Sequence, residues 1–239
     1  MKQISVSDVL ASANAAMVGP DLDVTGALAS LVVGATAALS VKAAAVLVDV
    51  DGRLEVLTAT SHRALDLELH QAQTHEGPCL ETMSAGVEVH EVGAAAIVGR
   101  WPRVGPQIVG SGYLSVQAMP LTWHGATFGG LNLFREEATG FQHQLADCRA
   151  LADAVTLLLV SARLTHDELG VGLRAALEER ATVELAKGAL AHAWQLDMPA
   201  AFDALTSLAE QEQLSLGVAA RLVMERARER HLGARDVAP

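Results

Sequence analysis

The sequence predicts an α+β fold, in which an antiparallel sheet flanked by helices is followed by an all-α bundle of three helices. Three observations carry that prediction. Short apolar runs separated by turn residues crowd into the first 140 residues, helical spacing alone fills 173–231, and a seven-residue apolar repeat occupies 141–162 between them. The domains expected are 1–140 for the sheet, 141–169 for a connecting or coiled-coil helix, and 170–239 for the bundle.

Composition agrees with a folded chain. Of 239 residues, 51% are apolar but only 3% aromatic, because alanine fills 43 positions. A charged fraction of 19% and a mean hydropathy of +0.28 exclude extensive disorder. The net charge of −11 excludes a cationic protein that coats nucleic acid non-specifically, so any nucleic-acid contact must come from a local patch. Two distant cysteines, Cys79 and Cys148, argue against a disulfide framework and suit a reducing cytoplasm. The N-terminus has neither a basic region nor an early apolar run, so no signal peptide is expected.

The elements follow in order. Val24–Val41 carries no charge, yet Leu28, Leu31, Val32, Ala35 and Leu39 form one stripe, the pattern of a core-facing helix rather than a membrane span. Ala43–Val50 reads as a buried strand, Asp51-Gly52 as a turn, and Arg53–Thr60 as the returning strand. Arg63–Thr74 has helical spacing, Gly77-Pro78 breaks the chain, and Pro78 opens a short helix through Met83. Val87–Val92 is a short strand. Trp101-Pro102 is expected to open a helix ending near Gly110 or Gly112. Tyr113–Leu121 and Phe128–Phe134 then pair across a turn at His124-Gly125.

Phe141, Leu145, Cys148, Ala152, Val155, Leu159 and Ala162 alternate by four and three, which predicts the seam of a helical dimer. A helix lying on its own sheet is the alternative, and Leu151 and Leu158 widen the apolar face in its favour. Gly170 and Gly172 predict a hinge near Thr165–Gly172. Beyond it, a helix runs from Leu173 to about Trp194. Asp197 caps a second with Pro199 in its first turn, and Ser215 caps a third.

Catalytic constellations are not evident. There is no P-loop, dinucleotide fingerprint or nucleophile elbow, and the nine histidines lack zinc-site spacing. His70, His75 and Glu76 fit a solvated helix end. Cys79 near a helix start could be a reactive thiol or a small buried hydrophobe. An enzyme is not expected, and neither a metal nor a certain cofactor.

Four blocks resemble GAF domains of the actinobacterial sensor type: Glu76-Gly-Pro-Cys-Leu80, Arg100-Trp-Pro-Arg103, Ser115-Val-Gln-Ala-Met-Pro-Leu121 and Gly129-Gly-Leu-Asn-Leu-Phe134. The resemblance implies an antiparallel sheet with an unidentified small molecule in a pocket on one face, lined from Ala43–Val50, Ser115–Leu121 and the helices between. Leu173-Arg-Ala-Ala-Leu-Glu-Glu-Arg180 and Val183-Glu-Leu-Ala-Lys-Gly-Ala-Leu190, with Ala201-Phe202 and Val218-Ala219, resemble an ANTAR domain, an RNA-binding three-helix module. Together they imply a cytoplasmic, homodimeric transcription antiterminator that holds paired hairpins in leader RNA, contacting it through Arg174, Arg180, Lys187, Gly188 and Arg221.

The chain departs from the pattern in charge. Across 170–239 it has 8 basic and 10 acidic residues, and none of the basic ones falls in Gln195–Ala220. Two alternatives therefore stand beside RNA binding. One is a bundle that acts through protein contacts. The other is a DNA-binding helix-turn-helix at 199–231, which the base-blind first turn Leu216–Ala219 makes unlike a reader of DNA.

Overall fold

The computed structural model describes residues 4–18, 22–161 and 169–235. The chain divides into two compact units, Met1–Arg174 and Ala175–Pro239. Among the described residues, no helix is long and apolar enough to cross a membrane.

The first unit is built on five antiparallel strands: β1 (Ala43–Val50), β2 (Arg53–Ala59), β3 (Val89–Val92), β4 (Ser115–Trp123) and β5 (Ala126–Arg135). Their spatial order is β2-β1-β5-β4-β3. Asp51 and Gly52, and again His124 and Gly125, take positive φ at the tips of the two hairpins. That is the conformation in which tight turns match strand twist. Helices α1 (Val6–Val18), α2 (Val24–Leu39) and α7 (Leu145–Ser161) pack together, with α2 against β1 and β2 and α7 against β4. Helices α3 (His62–Thr74) and α4 (Pro78–Ala85) lie on the strands, α5 (Ala94–Arg100) meets β3, and α6 (Gly105–Gly110) meets α5. One core joins Ala43, Ala45, Val116, Ala118 and Phe134 of the sheet to Leu67, Ile97 and Ile108 of these helices and to Val104, just before α6. Burial is continuous along β1 up to Val48 rather than alternating, as it must be for a strand covered on both faces.

The second unit takes in α8 (Leu169–Trp194) from Ala175 onward, with α9 (Met198–Gln211) and α10 (Leu216–Arg235). The Asp197 carboxylate accepts from Ala200 N at 2.8 Å, and the Ser215 hydroxyl accepts from Val218 N at 3.3 Å, so both expected caps are made. Val183, Ala186 and Leu190 of α8 meet Ala201, Leu205 and Ala209 of α9 and Leu216, Ala219, Ala220 and Val223 of α10.

Several sequence expectations change. α1, whose buried face is marked only by Val9 and Ala13, is an element the sequence reading lacks. Trp101 ends α5 instead of opening a helix, and α6 begins only at Gly105. Residues 169–172 of the expected hinge, Gly170 and Gly172 included, lie inside α8; residues 165–168, and Ala162, fall outside the described residues. The seam needs the largest correction. Phe141, Cys148, Ala152, Val155 and Leu159 are buried and Leu145 partly so, within a unit where α7 packs on α1, α2 and β4. The repeat faces the chain's own sheet and helices, so the alternative left open by Leu151 and Leu158 accounts for it.

Gly129 tests the tightness of the sheet. A Cβ there would sit 2.6 Å from the Leu47 carbonyl oxygen, whereas one at Gly99, in α5, meets nothing. Urea unfolding should show Gly129→Ala destabilised by about 1–3 kcal/mol. Gly99→Ala should be neutral or stabilised by up to about 1 kcal/mol.

Candidate functional site

In the second unit, the cations expected to bind RNA are spread along the bundle. Arg180 and Lys187 are seven residues apart on one flank of α8, and Gly188 is about a quarter-turn away. Lys187 extends over the Phe202 ring of α9, with Nζ 5.4 Å from its centroid. The same ammonium donates to both Glu184 carboxylate oxygens, at 2.9 and 3.0 Å, and its side chain is only 15% exposed. Arg221 reaches from α10 to Glu179, Nη1 to Oε1 at 3.7 Å, two turns before Lys187 on α8. Glu179 also abuts the backbone of Gly217, where a Cβ would collide with it. The Arg174 side chain lies outside the described residues. Gly188 is exposed, and a Cβ there would meet nothing, so no contact within the chain requires a glycine. The five residues thus do not converge on one point, and two of the cations already hold a carboxylate.

A site the sequence did not reveal lies between the sheet and α3. Asn132 of β5 is paired in register with Ala45 of β1 and Ala118 of β4, whose small side chains leave room above it. Glu68 of α3 fills that room, wholly buried, and accepts from Asn132 Nδ2 at 2.7 Å and from Gln71 Nε2 at 3.0 Å. Burial pushes the Glu68 carboxyl up to about 8, against the pull of those two donors. The Asn132 carbonyl oxygen is buried without a hydrogen-bond partner. Gln71 Oε1 accepts from Cys79 N at 3.1 Å, capping the start of α4. Burial and the nearby Glu68 raise the Cys79 thiol well above its ordinary value, which leaves it a poor nucleophile. Its sulfur lies over Gly130, where a Cβ would come within 2.7 Å.

The motif residues around this cluster act as clamps. Glu76 Oε1 accepts from the backbone N–H of Arg103 at 2.6 Å and of Val104 at 3.1 Å. Arg100 grips Glu81 with two nitrogens, at 2.5 and 3.1 Å, and reaches Glu91 at 3.1 Å. Hydrogen bonding from Arg100, above all, holds the Glu81 carboxyl below its usual value. Trp101 is buried and donates to Glu81 at 2.9 Å. Trp123 sits edge-on to His124 in its hairpin. Among the described residues, no three His, Cys, Asp or Glu side chains form a group able to hold a metal.

Comparison with known proteins divides along the same two units. The ANTAR domain family matches residues 172–224. The fold resembles the GAF domain of a phosphoenolpyruvate-protein phosphotransferase from Coxiella burnetii, at 18% identity and a TM-score of 0.50, over 68% of this chain and 97% of that one. It also resembles the A. aeolicus nlh2 GAF domain in an inactive state, at 10% identity and a TM-score of 0.50, over 64% and 94%. No curated protein matches the sequence.

The buried carboxyl gives a pH prediction. Unfolded, Glu68 titrates near its ordinary 4.5; folded, it titrates near 8. Between those values the folded state holds an extra proton, so the Glu68 contribution to stability is full below about pH 4.5 and is lost as pH rises through about 8. Unfolding titrations from pH 5 to 8.5 should show this decline in the wild type and a much flatter profile in Glu68→Gln.

Proposed function

We propose that this chain, whose two units give it a GAF–ANTAR architecture, is a signal-responsive RNA-binding antiterminator. The GAF-type unit is a sensor fold and ANTAR domains bind RNA. The finer reading is that the ANTAR unit holds paired hairpins of a nascent leader, so that the competing terminator hairpin does not form and polymerase reads through. One observation carries it: residues 172–224, which match the ANTAR family, fold as three helices, the second and third capped by Asp197 and Ser215, around a shared apolar core. Such a module works by binding alone, holding one RNA fold against another without covalent chemistry. Bases in loops are the readable part of folded RNA, and phosphates around them add affinity.

A homodimer belongs to this reading, since two hairpins call for two copies. The copies would pair elsewhere than along the 141–159 stripe, which is buried within its own unit. A signal in the sheet unit has a route outward through α7, which packs on β4 and is the last described element before the ANTAR unit in sequence. The rival reading, a bundle that works through protein contacts, draws support from the carboxylates that occupy Lys187 and Arg221.

Titration at two salt concentrations separates the two readings. The probe is a leader RNA with two adjacent stem-loops overlapping a terminator, taken from upstream of the chain's own coding region. The full chain should bind it, with affinity falling as salt rises. Lys187→Ala should weaken binding by about 3- to 10-fold and flatten the salt dependence. Failure to bind any tandem stem-loop RNA at low salt would sink the function; wild-type binding left unchanged by Lys187→Ala would remove Lys187 from the interface.

A further inference from the structure

We infer that Trp194 is the base-stacking platform of the RNA interface, an assignment that rests on the RNA-binding reading above. Residues 170–239 contain two aromatic side chains, Phe202 and Trp194. Phe202 is half-buried, with the Lys187 ammonium over its ring. Trp194 is 57% exposed, although tryptophan is the side chain with the most apolar area to gain from burial. It is the last residue of α8, a helix anchored in the unit's core through Val183, Ala186 and Leu190. The chain turns at Gln195, with φ 54°, so the indole stands at a corner of the bundle on a rigid element.

Position on the helix supplies the second argument. Arg180, Lys187 and Trp194 follow one another at intervals of seven residues. Each step is two turns less about 20°, so the three lie on one flank at intervals of about 10 Å. Two cations and an exposed indole in line can follow a strand, with phosphates toward Arg180 and a base at Trp194. The polarity of the helix favours this direction. Its C-terminal carbonyls carry partial negative charge, a poor neighbour for phosphate but compatible with a base whose flat face seeks an aromatic ring.

Charge supplies the third. With 8 basic residues against 10 acidic ones across 170–239, and with Lys187 and Arg221 already holding carboxylates, phosphate contacts can supply only part of the affinity. Stacking on an aromatic face requires no net positive charge and tolerates any base. The exposed Trp194 is thus the feature of this unit best suited to hold RNA without cations.

The test uses the full chain and an RNA of two tandem stem-loops with randomised loop bases; a blunt duplex without loops is the control. Trp101 and Trp123 belong to the other unit, and Trp101 is buried. The tandem stem-loops should quench tryptophan fluorescence in the wild type, and the duplex should not. Trp194→Phe should lose most of the quenching while keeping affinity within about 3-fold, because an aromatic face remains. Trp194→Ala should lose about 10-fold in affinity, the scale of one stacked base, without a change in salt slope, because no phosphate contact is removed. Both variants should melt at the wild-type temperature.

Wild-type binding with no quenching, and unchanged in Trp194→Ala, would overturn the assignment and leave the RNA reading intact. No wild-type binding to the tandem stem-loops would overturn both. A change of oligomeric state in RNA-free Trp194→Ala, with RNA affinity kept, would assign the indole to a protein contact and overturn the proposal.

Discussion

A polar side chain on a strand covered on both faces has to find its partners inside the protein, because water cannot reach it. Asn132 on β5 is in that position, and the first unit is arranged around it. Its amide nitrogen donates to Glu68, and Glu68 takes its second donor from Gln71, three residues on along α3. The other end of the Gln71 amide accepts from Cys79 N and so starts α4. One run of hydrogen bonds therefore ties β5 to α3 and α3 to α4. Each member is buried, so deleting one strands its neighbour at the cost of an unmet polar group, not merely a lost bond. Small residues are dictated by the same run. Ala45 and Ala118 beside Asn132 leave space for the carboxyl, and Gly130 admits the Cys79 sulfur.

The four sequence blocks of the first unit look different once this arrangement is known. Glu76, Gly77, Cys79, Glu81, Arg100 and Trp101 resemble a set of site residues, but their described polar contacts are with one another, with the Gln71 and Glu91 side chains, and with backbone. Gly77 takes a φ of +136°, and a Cβ there would run into Gln71. Glu76 and Glu81 pin the segment around Arg100–Val104, which the short helices α5 and α6 could not hold by backbone bonds alone. These residues hold the helical cover over the sheet in place. The Glu68 cluster beneath that cover is the part able to change state. A carboxyl titrating near 8 changes charge within the physiological range, and a neutral Glu68 could donate to the Asn132 carbonyl once that amide turned over.

Strand positions were legible because a sheet buried on both faces writes continuous apolar runs bounded by Asp51-Gly52 and His124-Gly125. The caps at Asp197 and Ser215 were equally plain, since capping chemistry is local. The Glu68–Asn132 pair was not legible. The two residues are 64 apart, and a single carboxylate on an amphipathic helix is ordinarily a solvated one, so nothing local marks Glu68 as buried. The seven-residue repeat was misleading for a related reason. Apolar spacing states that a face is covered but not by what, and at 141–159 the cover is the chain's own sheet and helices. In the ANTAR unit, composition announced the shortage of cations but could not show that Glu184 and Glu179 engage two of those present.

On the proposed RNA-binding reading, those two pairings bear on selectivity. Where a cation already holds a carboxylate, a phosphate must displace it, so one ion pair replaces another and the net electrostatic gain is small. Glu184 and Glu179 would therefore weaken binding to any stretch of backbone, whatever its sequence or fold. What survives that discount is contact that backbone alone cannot supply, namely unpaired bases held at a fixed spacing. The −9 charge of residues 1–169 would act in the same direction by repelling RNA that approaches the first unit. On that reading, acidity would serve as a filter against non-specific binding, at the expense of affinity per copy. Two copies acting on two linked hairpins would recover that affinity through effective concentration without new contacts, and would recover it only on RNA that presents both loops at the right separation.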